Sequence, residues 1–287
     1  MTALSINLNK IALLRNSREG NYPSVVNHAQ LCIDQGVEGI TVHPRPDQRH
    51  IRPSDVRQLA ELVRPLSGVE FNIEGNPFAP ALNDYPGFIE LVEETQPDQC
   101  TLVPDGDDQL TSDHGFDLNS SGDQLAPIIK RLKDQGMRVS LFMDPDLSQI
   151  EMAANIGADR IELYTEAFAH QFSLGNKAAI APYTKCAQRA LQLDLGLNAG
   201  HDLSLDNIQF FKENSPGLLE VSIGHALISE SLYLGIDNVI NMYLQTAYVH
   251  PEAFDGTYED CFYESDRWKE EDTSNNDRRI ALGEKIR

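Results

Sequence analysis

The chain has 287 residues, of which 41% are hydrophobic and 23% charged, a globular composition long enough to bury a full core. Its 44 acidic and 23 basic residues leave a net charge of −21, which opposes binding to nucleic acid or to anionic membranes. A small anionic substrate stays compatible, because local cations and backbone N–H groups outweigh a distant field that salt screens within about 10 Å. The start MTALSINLNK is broken by Asn7, Asn9 and Lys10 before any signal-peptide core, and no run of about 18 apolar residues follows, so a cytoplasmic protein is expected. Cys32, Cys100, Cys186 and Cys261 are scattered without a CxxC pair and read as reduced thiols.

Short β-rich runs alternate eight times with helical stretches between residues 4 and 247. The runs are LSINLN from Leu4, GITVH ending at His43, EFNIE ending at Glu74, QCTLVP from Gln99, RVSLFMD from Arg138, RIELYT from Arg160, LGLNAGH ending at His201 and LEVSIGH ending at His225. Pro53, Ser54 and Asp55 open the clearest helix, PSDVRQLAELVRPL. A second, from Asp146, carries the stripe Ile150, Ala153, Ala154, Ile156 and closes on Gly157, and LAPIIKRLKDQG closes on Gly136 in the same way. Ser204 is expected to cap SLDNIQFFKEN. Segments 76–86 and 105–119 read as Pro-, Gly- and Asp-rich loops.

Strand–helix alternation means parallel strands, and eight units in roughly 245 residues fit a (β/α)8 TIM barrel with extra short helices. A doubly wound open sheet is the runner-up, but no GxGxxG follows the first strand. The barrel is expected to occupy residues 1–249 as the catalytic domain. Residues 251–287 carry 11 acidic and 6 basic residues without a sustained apolar period, so 250–287 reads as an acidic tail, disordered or packed through Tyr258, Phe262, Tyr263 and Trp268.

Barrel sites lie at the C-terminal ends of the strands. The first run delivers Asn7, Asn9 and Lys10 there, the second His43 and then Arg45, Arg49 and His50, and the third Glu74. The sixth delivers Glu162, the seventh Asn198 and His201, and the eighth Gly224 and His225. A lone histidine is usually structural, but several ionisable groups around one cavity are costly unless they bind or react. Arg18, Arg45, Arg49 and His50 suit phosphate oxygens, and Gly224–His225 opens a helix where a barrel often holds phosphate. Two such regions imply two phosphorylated ligands or one bisphosphate, leaving His43, Glu74 and His201 for proton transfer.

The segments INLNKIALLRNSR, GITVHPRPDQRHIRPSDV, FNIEGNP, IELYTE, LNAGHDLS and VSIGHALI resemble the pyridoxine 5'-phosphate synthase family over most of residues 4–247. The resemblance implies condensation of 1-deoxy-D-xylulose 5-phosphate with 3-amino-2-oxopropyl phosphate, closing the pyridine ring of vitamin B6 with loss of phosphate and water. It implies no metal or organic cofactor, small phosphorylated substrates as partners, and a homo-octamer. By motif position it makes His43 and Glu74 proton acceptors, His201 the proton donor and Glu162 the group that stabilises charge. Asn7, Arg18, Gly224 and His225 then correspond to the aminoketone phosphate site. Arg45, His50 and Thr111 correspond to the deoxyxylulose phosphate site, with Asn9 and Lys10 alongside. Many members have Asp-His where this chain has Asn9-Lys10, Gly where it has Asp202, and basic residues in place of Gly106, Asp107 and Asp108; a branch of the family shares the Asn-Lys and His-Asp forms. Two other readings are a metal-dependent isomerase or aldolase barrel, with His43, Glu74, Glu162 and His201 as ligands, and a scaffold that binds phosphorylated ligands without turnover.

Overall fold

Period-two alternation in the strands decides what each face of the sheet meets. The computed structural model describes residues 2–106 and 109–248, and within them eight parallel strands close into a barrel in sequence order. They are β1 (Ala3–Asn7), β2 (Gly39–Val42), β3 (Glu70–Gly75), β4 (Gln99–Leu102), β5 (Arg138–Met143), β6 (Arg160–Leu163), β7 (Gly196–Ala199) and β8 (Leu218–Ile223). Each of the eight expected runs contains a strand, and the barrel expectation holds. Leu4, Ile6, Ile40, Val42, Phe71, Ile73, Val139 and Leu141 belong to one fully or nearly fully buried apolar core. The alternating residues are polar and bond to each other from strand to strand. Ser5 Oγ lies 2.7 Å from Thr41 Oγ1, Asn72 Nδ2 donates to Thr41 Oγ1 (3.3 Å), and Thr101 Oγ1 donates to Asn72 Oδ1 (3.1 Å). Barrel interiors usually fill with branched apolar side chains; this one is lined with hydroxyls, amides and charges.

The crossovers run through α1 (Asn9–Asn16) and α2 (Val25–Asp34), α3 (Pro53–Val63), α4 (Phe88–Thr95), α5 (Leu118–Lys133), α6 (Leu147–Asn155), α7 (Glu166–Ser173) and α8 (Ala181–Gln192), α9 (Ile208–Asn214), and finally α10 (His225–Leu234) and α11 (Ile236–Tyr248). In α3, Pro53 sets the first turn and the Asp55 carboxylate accepts the Arg52 N–H (2.8 Å). Its buried face includes Val56, Leu59 and Val63, each contributing about 1.5–3 kcal/mol on burial. Asp146 caps α6, and Gly136 and Gly157, both at positive φ, follow α5 and α6 as expected.

Three expectations need correction. α9 starts at Ile208, not after Ser204: the Ser204 N–H donates to Asn207 Oδ1 (2.9 Å), so a side-chain-closed turn occupies those residues. α5 starts at Leu118 with Asp117 as its cap, inside a segment read as loop. Asn9 and Lys10 open α1 directly after β1 and do not extend the strand. Cys32, Cys100 and Cys186 are free and buried, burial pushing the Cys32 thiol up to about 12. Cys261 and the whole of 250–287 lie outside the described residues. Among the described residues no helix is long and apolar enough to cross a membrane.

Candidate active site

Because all eight strands are parallel, everything carried past their C-terminal ends gathers at one mouth. On β1, Asn7 Nδ2 donates to Glu74 Oε2 (3.3 Å), while Asn7 Oδ1 accepts from the Asn9 N–H (3.0 Å). Asn9 Oδ1 in turn accepts from the His43 backbone N–H (2.9 Å), so the first turn of α1 is keyed to the end of β2. His43, only 5% exposed, stands with Nδ1 3.7 Å from Glu74 Oε2 and Nε2 2.8 Å from Asp105 Oδ2. Burial acts to lower its pKa, but the hydrogen bonds and charges of Asp105 and Glu74 outweigh it and hold the imidazole above its ordinary value.

Arg45 Nη2 shares Asp105 Oδ2 with His43 at 2.7 Å. Residues 109–111 reach across the mouth. The Gln109 carbonyl accepts from Arg45 Nη1 (3.3 Å) and Arg49 Nη1 (2.6 Å), and Thr111 Oγ1 meets His201 Nε2 at 3.1 Å. A cavity of about 230 Å³ opens beside it, lined by His43, Arg45, Arg49, Asn76, Tyr85 and Asp105 among others. His50 accepts the Ile51 N–H on Nδ1 (3.0 Å), which leaves Nε2 as the protonated nitrogen of the neutral ring. Burial first, then the charges of His43, Arg45, Arg49 and Lys10, push it down to about 3. The turn that carries His50 is anchored from below by Arg15, 1% exposed, which pairs with Asp55 (2.5 Å) and donates to the His50 carbonyl (3.0 Å).

On the opposite side, His201 has a left-handed backbone (φ 36°), stacks edge-on to Tyr164 with ring centres 5.1 Å apart, and has Nδ1 against the Asp202 carboxylate. Gly200 is required by close approach: a Cβ there would lie 2.3 Å from the Ser222 carbonyl oxygen. Glu162 is buried, and desolvation, then the charges of Glu74 and Glu220, raise it well above the carboxylate range. Gly224 caps α10, and a Cβ on it would press on Asn7 at 3.0 Å. His225 opens that helix and is lowered by burial and by Lys10, so the Lys10 charge reaches both His50 and His225.

One residue named from the sequence stands elsewhere, and another lies at the surface. Asn198 points toward the N-terminal half of the barrel, bonded to Arg160 (3.1 Å) and within 3.4 Å of Gln99 and Glu220. Arg18 is exposed in the turn after α1 and donates to the Ser17 carbonyl (3.0 Å). Asp105 and the Arg15–Asp55 pair escaped sequence reading. The first sat in a run of turn residues, and the second joins helices far apart in sequence.

The family described as "Pyridoxal phosphate biosynthesis protein PdxJ" matches residues 4–248. The chain is 57% identical over 245 residues to the pyridoxine 5'-phosphate synthase of Flavobacterium johnsoniae, covering 85% of this chain and 99% of that protein. It is 57% identical over 244 residues to the enzyme of the same name from Xanthomonas axonopodis pv. citri, covering 85% and 95%. Among solved structures, phosphoribosyl anthranilate isomerase from Thermotoga maritima (13% identity, TM-score 0.53, 86% of this chain and 98% of that one) shares the fold. So does the tryptophan synthase alpha chain from Legionella pneumophila (16% identity, TM-score 0.55, 86% and 91%). Matched along nearly the whole length of both curated relatives, the chain belongs to the PdxJ family of pyridoxal phosphate biosynthesis proteins.

Proposed function

We propose that the chain acts as a pyridoxine 5'-phosphate synthase, condensing 1-deoxy-D-xylulose 5-phosphate with 3-amino-2-oxopropyl phosphate and releasing phosphate and water. One arrangement carries the reading: a Glu74–His43 pair faces a His201–Thr111 pair across a single mouth bordered by Arg45, Arg49 and the start of α10. Imine formation, dehydration and ring closure are successive proton transfers around an amine and carbonyls, which two bases and an acid can serve. In this reading His43 and Glu74 accept protons and His201 donates one. Glu162, its proton affinity raised by burial, stabilises charge that develops on the substrate.

Arg45, the neutral His50 and Thr111 hold the deoxyxylulose phosphate, with Asn9 and Lys10 alongside. Asn7, Arg18, Gly224 and His225 hold the aminoketone phosphate, whose anion sits at the N-terminus of α10, and Asp202 is a further substrate-binding residue. The chemistry calls for no metal or organic cofactor. Among the described residues no three His, Cys, Asp or Glu side chains are grouped to hold a metal ion. The same reading takes residues 1–249 as the catalytic domain of a cytoplasmic homo-octamer and 250–287 as its tail.

The test is turnover. Purified full-length chain, mixed with both substrates, should form pyridoxine 5'-phosphate and inorganic phosphate in equal amounts. Saturable binding of both substrates without product would favour the scaffold reading instead.

A further inference from the structure

We infer that Asp105 is a positioning residue for proton transfer: it holds the Nε2 side of His43, so that Nδ1, beside Glu74, is the nitrogen that takes up and returns a proton. The inference rests on the proposed role of His43 as a base. Asp105 itself lies three residues beyond β4 and is fixed at both ends. Its carbonyl accepts from Asn76 Nδ2 (2.7 Å), and its side chain is only 7% exposed. One oxygen, Oδ2, faces both His43 Nε2 (2.8 Å) and Arg45 Nη2 (2.7 Å).

Arginine does not deprotonate in proteins, so Asp105 stands permanently beside a cation. Burial raises its pKa, yet His43, Arg45 and Ser112 together bring it down to about 2. An ionised carboxylate accepts hydrogen bonds and donates none. At 2.8 Å from it, His43 Nε2 therefore carries its hydrogen whether the ring is neutral or charged. Only Nδ1 is left to change protonation, and it points at Glu74 Oε2 from 3.7 Å, a gap that one substrate atom or a small shift closes. A carboxylate orienting a histidine that acts on a third group is the arrangement by which bases are fixed in one tautomer elsewhere. Arg45 adds a link to binding: a phosphate drawn to Arg45 competes with Asp105 for the same guanidinium.

The experiment compares Asp105→Asn, Asp105→Glu and Asp105→Ala in the full chain, with pH profiles of kcat and kcat/KM and ¹⁵N NMR of the His43 ring in the resting protein. The asparagine keeps an acceptor of the same shape and drops the charge. It should lower kcat roughly 10- to 100-fold and move the acidic limb of kcat/KM down by about one pH unit, because His43 loses a proton-holding neighbour. KM should stay within a few-fold, and glutamate should recover most of the wild-type profile. The NMR should show Nε2–H with a titrating Nδ1 in the wild type and mixed tautomers in Asp105→Ala. An unmoved acidic limb together with an unchanged tautomer would overturn the inference, even if kcat fell, since a loss of loop packing alone does that. His43→Asn keeps the two failures apart: full turnover there would refute the base reading, while the tautomer of the resting wild type still decides what Asp105 does.

Discussion

The two ends of this barrel are built from the same kinds of polar side chain and use them in opposite ways. At the N-terminal end each cation meets an anion. Arg138 forks onto Glu70 and donates to Gln99 (2.9 Å), while Arg160 reaches Glu220 (3.2 Å) and Asn198 (3.1 Å). At the C-terminal end ion pairs such as Arg45–Asp105 stand among groups of like charge. The Glu74 charge adds to the cost of ionising Glu162, and His43 and His50 sit with ring centres 6.4 Å apart. Pairing opposite charges makes a cross-linked floor. Burial, reinforced by like charges, drives His50 down to about 3 and Glu162 well up, the separation of proton affinities that acid–base chemistry needs.

Substitutions at the mouth should therefore act on turnover, and those at the floor on stability. The largest effect is expected at His201: His201→Asn should lower kcat roughly 10²- to 10⁴-fold in steady-state assays while the circular dichroism spectrum stays unchanged. Next comes the floor. Burial, opposed by Arg160 and Arg138, raises Glu220 from its ordinary 4.5 to about 7. The fold thus favours the protonated carboxyl. Its contribution is complete below pH 4.5 and declines as pH rises to about 7, by at most about 3 kcal/mol. Urea unfolding of Glu220→Gln between pH 4.5 and 8 should show a flatter pH dependence than the wild type.

Arg45→Ala should raise KM for the deoxyxylulose phosphate roughly 10- to 100-fold with kcat within a few-fold, as expected for charge-assisted bonds to a phosphate. The smallest effect belongs to Lys10. Its charge reaches His50 and His225. Lys10→Ala should raise the same KM several-fold with little change in kcat, and borohydride should trap no adduct on Lys10. An adduct would mean a Schiff base and would redraw the mouth.

How legible each end was in the sequence follows from locality. The eight strands and α3 could be read because their signals, alternation and capping, are confined to a few residues. The polar floor was written in the same alternation, in Ser5, Thr41, Asn72, Thr101 and Ser140, but a strand shows only that one face is polar. Closure of the barrel decides that the polar face points inward. Asn198 was misplaced for that reason, since its neighbours Arg160 and Glu220 come from adjacent strands. Asp105 was missed because reaching His43 takes it past β3, a contact across 62 residues of chain that no local pattern marks. The start of α5 was hidden by Asn119, Ser120, Ser121 and Gly122, weak helix formers that Asp117 and the buried Leu118 and Leu125 override.

The sharpest comparison makes one chemical change at both ends. Glu74→Gln and Glu220→Gln each replace a buried barrel carboxylate, 8% and 7% exposed, by its amide. Single-turnover formation of pyridoxine 5'-phosphate should fall roughly 10²-fold or more for Glu74→Gln and stay within a few-fold of wild type for Glu220→Gln. Equal losses in the two variants, or near-normal turnover by Glu74→Gln, would remove Glu74 from proton transfer and refute the division between a reactive mouth and a structural floor.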